Sequence, residues 1–222
     1  LPDLHIACTG IGPQSTEEQW VKLAEQSGTP MPTVGGEAIK DGLRNLHSLF
    51  VQAPTLGSLI NPAELPADLI AADYETIQPY LTTIREVEKA DDETRERAIA
   101  AAGMVKAADL LAGDYTLVIT NVPYLARGKQ DELLAKYCDN YHHDARGDLA
   151  TCCLDRCIAF CAAAGASALV LPQSWLFLNR YEALRSRLLK SYTWSILGCL
   201  GPRAFEMISG EVVNVVLMSI EC

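Results

Sequence analysis

An Asn-Val-Pro-Tyr tetrapeptide at 121–124 closes the apolar run Tyr115-Thr116-Leu117-Val118-Ile119-Thr120. A run of that length and composition predicts a strand. The tetrapeptide then offers a polar and aromatic cluster at the strand's C-terminal edge, where open α/β sheets bind ligands. Asn ahead of Pro is also a common turn signal, and a Tyr at a strand end often packs as a half-buried lid, so the surroundings decide between the two accounts. A second group with chemical potential is Cys153, Cys157 and Cys161, spaced every four residues and predicted to line one face of a helix. One helix lacks the second ligand arm that closes a tetrahedral metal site. The expectation is therefore small thiols packed against a sheet, with no metal.

The elements that must position these groups follow from periodicity and punctuation. After Gly113 the rhythm is strand, helix, strand, helix, strand, strand. Strands are predicted over 117–120, 168–171, 194–200 and 212–220, with helices over 148–164, after a polar loop, and over 180–189. Alternation of this kind implies a mostly parallel sheet covered by helices. Only an irregular loop joins the last two strands, so they should pair antiparallel. Upstream, a short strand over 4–8 runs into a turn at 9–13. Helices follow over 16–24, with Ser15 or Thr16 as N-cap, over 37–52, where Ile39, Leu43, Leu46 and Phe50 keep helical spacing, and over 73–89 and 92–111. Three regions result: 1–12 as strand and turn of the sheet, 13–112 as a mainly helical insertion, and 113–222 as the strand-rich part.

With 222 residues and 49% hydrophobic content, the chain is long enough for a full domain with a sizeable core. No apolar run reaches the ~18 residues of a membrane span, and no charged-then-apolar leader opens the sequence. Eight cysteines without such a leader predict free thiols in a reducing compartment, the cytoplasm. Leu1 stands where an initiator Met is expected, so the sequence reads as a piece of something longer. The formal charge of −10 argues against a free-standing nucleic-acid binder, because phosphate contacts need clustered Lys and Arg. The acid is concentrated over 73–114. Arg127, Lys129, Arg180, Arg185, Arg187, Lys190 and Arg203 all fall later, which leaves room for a basic rim.

Three further stretches accompany the tetrapeptide: Asp148-Leu149-Ala150 opening a helix, Leu171-Pro172-Gln173-Ser174-Trp175-Leu176 at a strand end, and Leu200-Gly201-Pro202-Arg203-Ala204-Phe205 before the final strand. Together, over about 108–222, they resemble the C-terminal half of the catalytic domain of N6-adenine DNA methyltransferases of the restriction-modification and phage-defence type, whose motif is Asn-Pro-Pro-Tyr. The resemblance implies an α/β fold: an incomplete Rossmann-like methyltransferase sheet, mostly parallel with an antiparallel last strand, plus the helical insertion. It implies S-adenosylmethionine as methyl donor and DNA as the partner of the full-length protein, with no membrane. Asn121 and the Val122 carbonyl would accept hydrogen bonds from the adenine amine, Pro123 would stiffen the turn, and Tyr124 would stack on an extruded base. Phe205 would approach the other face of that base, and Pro172 would border the same cleft. Asp148, besides capping its helix, would lie with Asn121 on the donor side.

Two departures accompany the resemblance. Val122 replaces a Pro, although either residue supplies a carbonyl. The Gly-rich strand-to-helix turn that cradles the donor's amino-acid end in the family has no match, because Thr9-Gly10-Ile11-Gly12 is short of glycines and is followed by Pro13. That stretch is read as a later strand of the same sheet. The chain is expected to start after the donor turn, to transfer no methyl group by itself, and to expose a sheet edge prone to self-association. Two other readings stand beside this one: methylation of RNA or of a protein glutamine, and a non-catalytic α/β interaction module.

Overall fold

Thr16 starts the first helix through a reciprocal cap, Gln19 N donating to Thr16 Oγ1 at 3.3 Å and Thr16 N to Gln19 Oε1 at 3.0 Å. This capping-box arrangement satisfies two backbone donors at once. In the computed structural model, which describes residues 5–10, 12–13, 15–26, 30–64, 74–84, 92–200 and 214–222, two compact units meet in sequence after Gly113. The first unit is helical: α1 (Glu17–Gln26), α2 (Gly36–Val51), α3 (Ala53–Leu56), α4 (Tyr74–Ile84) and α5 (Asp92–Ala112). α1 packs on α2 and α4, and α4 on α5. α2 buries Ile39, Leu43, Leu46 and Phe50, the predicted stripe, against a core that includes Trp20 and Ala24 of α1. His47 Nε2 meets the Ser15 carbonyl oxygen at 2.7 Å and ties the start of α1 to α2.

The predicted strand over 4–8 is not formed by His5–Cys8, and Leu4 lies outside the described residues. The described residues of this unit hold no strand with which it could pair, and an unpaired strand leaves its amides and carbonyls unsatisfied. Gly12 instead lies beside α2, where an added Cβ would stand 3.6 Å from the Phe50 carbonyl oxygen.

The second unit is built on a four-stranded sheet in the order β1-β2-β4-β3. β1 (Tyr115–Asn121) pairs parallel with β2 (Cys161–Pro172), with Asn121 opposite Val170. β4 (Val215–Glu221) is antiparallel to β2, with Val170 opposite Leu217, and antiparallel to β3 (Thr193–Cys199). β1, β2 and β3 therefore share a direction and the last strand opposes them, as the connection lengths predict. The sequence does not reveal that β4 inserts between β2 and β3. The crossover from β2 through α8 (Glu182–Ser191) skips one strand position, and β4 fills it.

The remaining helices are α6 (Glu132–Tyr141) and α7 (Leu149–Ala159). α7 packs on β2, above a face on which Ser167, Leu169, Leu171, Val216, Met218 and Ile220 are buried. The opposite face is open at Leu117, Ile119, Ile196 and Leu217. α6 occupies what the sequence suggests is a polar loop. Asp131 caps it, accepting from Leu134 N at 2.8 Å, and Leu134, Tyr137 and Cys138 form its buried stripe.

α7 ends five residues before its predicted limit at 164, so Cys161 belongs to β2 and does not share a helix face with Cys153 and Cys157. The run Cys161-Ala162-Ala163-Ala164 has good helix propensity, but sheet pairing overrides it. The register of β2 against β1 shifts between Tyr115 and Leu117, with Ala164 at φ 63° and a glycine required after it, because a Cβ on Gly165 would lie 2.8 Å from the Ala162 carbonyl oxygen and 2.9 Å from that of Tyr115. Burial pushes the Cys153 thiol up to about 12 and the Cys157 thiol up to about 11. Both are therefore neutral packing groups at physiological pH.

Candidate functional site

Strand β1 runs out at Asn121, which is exposed at the C-terminal edge of the parallel pair. The alternation of the strand continues in phase past its end: Val122 is only 7% exposed, Pro123 is exposed and Tyr124 is half-buried. Val122 thus works as a core plug, which accounts for an apolar β-branched residue at this position. The Tyr124 hydroxyl is buried with no hydrogen-bond partner among the described residues. Burial, and after it the charge of Asp148, raises the Tyr124 phenol above its ordinary value, so the ring carries no charge at neutral pH. An unsatisfied buried hydroxyl costs about 1–3 kcal/mol. Tyr124→Phe is accordingly expected to leave the melting temperature unchanged or raise it, by about 1 kcal/mol of stability at most, as read by thermal unfolding.

Pro172 ends β2 opposite Val215, two residues beyond Val170 and therefore one pleat further along the row that faces Asn121. Gln173 N donates to the Asn214 carbonyl oxygen at 2.8 Å and holds that strand end in place. The structure thus brings Asn121 and Pro172 to one edge, with Tyr124 following directly. Phe205 and the stretch around it lie outside the described residues.

Asp148 is the N-cap of α7, its Oδ1 accepting from Ala150 N at 2.9 Å. The same oxygen accepts from Leu125 N at 3.2 Å. Around this point the chain after Tyr124 and the chain before α7 form a short ladder: Leu149 N donates to the Leu125 carbonyl oxygen at 2.9 Å and Arg127 N to that of Gly147 at 3.1 Å, with an antiparallel bridge between Ala126 and Asp148. Gly147 is required by close approach. A Cβ there would sit 2.7 Å from the Tyr181 hydroxyl oxygen and 2.8 Å from its ring, and Tyr181 is 1% exposed, so it has nowhere to go. Gly147→Ala should cost about 1–3 kcal/mol, measured by denaturant unfolding. Neither Gly147 nor Tyr181 stands out in the sequence, because their contact joins a loop to a distant helix start.

Of the basic residues that would form a rim, several are turned inward. Arg127 donates to the Ala135 carbonyl oxygen at 2.7 Å and to Asp139 at 2.6 Å. Arg185 donates to the carbonyl oxygens of Trp175 and Leu178 at 2.7 and 2.8 Å, bracing the turn after Pro172. Arg187 pairs with Asp155 at 2.8 Å. Arg203 lies outside the described residues, while Lys129, Arg180 and Lys190 are exposed.

A half-buried polar cluster supports the loop that precedes Asp148. His142 Nδ1 lies 2.9 Å from Asp155 Oδ2, Arg187 Nη2 lies 2.8 Å from Asp155 Oδ1, and Arg187 Nε lies 3.5 Å from Asp144. Thr151 Oγ1 also donates to the carbonyl oxygens of Ala145 and Asp148. Loop, α7 and α8 are thereby fastened together behind the tetrapeptide.

Among the described residues no helix is long and apolar enough to cross a membrane. Residues 47–198 match the family model of the Eco57I restriction-modification methylase. The adenine-specific methyltransferase BrxX of Escherichia coli O9:H4 (strain HS) is 32% identical over 188 residues, covering 84% of this chain and 15% of that protein. The adenine-specific methyltransferase PglX of Lacticaseibacillus casei (strain Zhang) is 34% identical over 113 residues, 50% of this chain and 9% of that protein. The chain thus spans a small fraction of the length of the curated relatives it matches. A family match over more than half the chain, on a mixed α/β sheet of the expected direction pattern, settles the assignment: this chain belongs to the Eco57I restriction-modification methylase family.

Proposed function

We propose that this chain forms the substrate-amine side of the catalytic domain of a DNA methyltransferase that modifies the N6 amine of adenine, in a restriction-modification or phage-defence system. The observation that carries the reading is the exposed Asn121 at the C-terminal edge of β1, followed by a buried Val122, within a methylase family. The Asn121 carboxamide oxygen and the Val122 carbonyl oxygen accept hydrogen bonds from the exocyclic amine. Both bonds raise electron density on that nitrogen as its planar conjugation is lost, and they are strongest when the nitrogen begins to bond to carbon. Tyr124 supplies a flat apolar surface for a base taken out of the duplex stack, and Pro172 walls the same edge.

The donor that fits such a family is S-adenosylmethionine, which supplies an electrophilic methyl group on a sulfonium. Among the residues of this chain, Asn121 lies at the edge such a donor must approach. Asp148 Oδ1 is occupied by two backbone N–H groups. The compartment consistent with a DNA substrate and free thiols is the cytoplasm. β1 is an edge strand of the described sheet, with Leu117 58% and Ile119 72% exposed. Association of this chain through that edge would show as a concentration-dependent mass in light scattering.

The test is transfer of a labelled methyl group by the full-length protein to duplex DNA, to RNA and to a glutamine-containing peptide. Label on adenine N6 in duplex DNA supports the proposal. Label on RNA or glutamine alone, or on none of the three, refutes it.

A further inference from the structure

We propose that Asp148 is the positioning residue of the Asn121–Tyr124 segment: its Oδ1 joins the first amide after Tyr124 to the first turn of α7 and so fixes the orientation of the Tyr124 ring and the preceding carbonyls. This rests on the proposed function, because it assigns the clamp a role in adenine methylation. The geometry is a closed circuit. Asp148 Oδ1 accepts from Leu125 N at 3.2 Å and from Ala150 N at 2.9 Å, while Leu149 N returns a bond to the Leu125 carbonyl oxygen at 2.9 Å. α7 packs on β2, and β2 carries β1 and hence Asn121 by parallel pairing. The tetrapeptide is therefore held at both ends, by the sheet before it and by Asp148 after it.

Such a clamp is needed here because the segment has few other anchors. Pro123 donates no backbone hydrogen bond, Asn121 and Pro123 are exposed, and the Tyr124 hydroxyl has no partner among the described residues. Val122 is buried, and Tyr124 is half-buried. A stacking ring whose hydroxyl makes no bond is steered by its backbone, and the backbone at its C-terminal side is fixed through Leu125. A catalytic group must be held within about 0.5 Å of its productive position to keep its effect, and misplacement by about 1 Å costs on the order of 100-fold in rate.

The side chain has two separable jobs, capping α7 and clamping Leu125, and two substitutions divide them. Ser is a good helix cap but is one atom shorter than Asp, and it loses the bond to Leu125. Asn keeps a carbonyl oxygen in the place of Oδ1 and serves both. In the full-length enzyme, Asp148→Ser is expected to lower kcat for adenine methylation by about 10- to 100-fold with the donor KM within about twofold of wild type. Asp148→Asn should stay within about threefold of wild type in both. Hydrogen exchange on the 222-residue chain gives a second readout that needs no substrate, with the Leu125 amide exchanging at least about tenfold faster in Asp148→Ser and unchanged in Asp148→Asn.

Unchanged Leu125 exchange in Asp148→Ser overturns the clamp. Faster exchange with undiminished kcat overturns its positioning role. A raised donor KM in both variants assigns Asp148 to donor binding and overturns the proposal as well. If the wild-type enzyme methylates no adenine, the functional reading falls and the catalytic role with it, and the exchange data still report whether the clamp exists.

Discussion

Asn121→Ala in the full-length enzyme is expected to lower turnover on adenine about 1000-fold while leaving the melting temperature where it was. Removing one preorganised hydrogen-bonding group from a reacting centre costs about 100- to 1000-fold. Asn121 belongs at the upper end of that range because, in the proposed role, its carboxamide oxygen would act directly on the reacting nitrogen. Stability should hold because the side chain is exposed at a strand end, where substitutions stay within about 0.5 kcal/mol. The neighbouring residue gives the opposite pattern. Val122→Ala removes buried methyl groups from a site that is 7% exposed and should cost about 2 kcal/mol of stability, yet its carbonyl remains and turnover below the melting transition should be near normal. Single-turnover rates and thermal unfolding of the two variants check the pair. Near-normal turnover by Asn121→Ala would remove the amine-holding role from this residue.

The pattern of these two residues marks how far the sequence reaches. The strand ending at Asn121 is legible because its apolar run is local, and the directions of β1, β2, β3 and β4 follow from the lengths of the connections between them. The insertion of β4 between β2 and β3 is not legible, since strand order is decided by long-range pairing. Cys161 misleads for a related reason: its four-residue spacing from Cys157 fits a helix, and only pairing of the Cys161–Pro172 strand with its neighbours pulls it into the sheet. The strand expected over 4–8 is not formed by His5–Cys8, because the described residues of that unit hold no strand for it to pair with. At the site, the tetrapeptide and the cap at Asp148 are readable from residue type. The second bond of Asp148, to Leu125 across 23 positions, and the contact of Gly147 with Tyr181 exist only once the helices are packed.

The half-buried cluster around Asp155 is where a single substitution should cost the fold most. Asp155 takes hydrogen bonds from His142 at 2.9 Å and Arg187 at 2.8 Å. Burial pushes its carboxyl up, but these bonds and the charges behind them outweigh burial and hold it below the ordinary value of 3.8. Asp155→Ala leaves the Arg187 guanidinium with Asp144 alone, at 3.5 Å, and strands a His142 ring whose Nε2 already lacks a partner among the described residues. Breaking a buried pair from one side costs about 3–5 kcal/mol. Because Arg187 is more than one-third exposed, at 37%, the lower end, about 3 kcal/mol, is expected from urea unfolding at neutral pH. The pH dependence identifies the charge as the cause. A carboxyl with a depressed folded value stabilises the fold above its ordinary value of 3.8 and loses that contribution as the pH falls through the folded value. The stability gap between wild type and Asp155→Asn should therefore stay constant above about pH 5 and close on acidification below the ordinary value. A gap that is unchanged down to the acid transition would mean that Asp155 holds α7 and α8 through shape and neutral hydrogen bonds, with its charge contributing nothing.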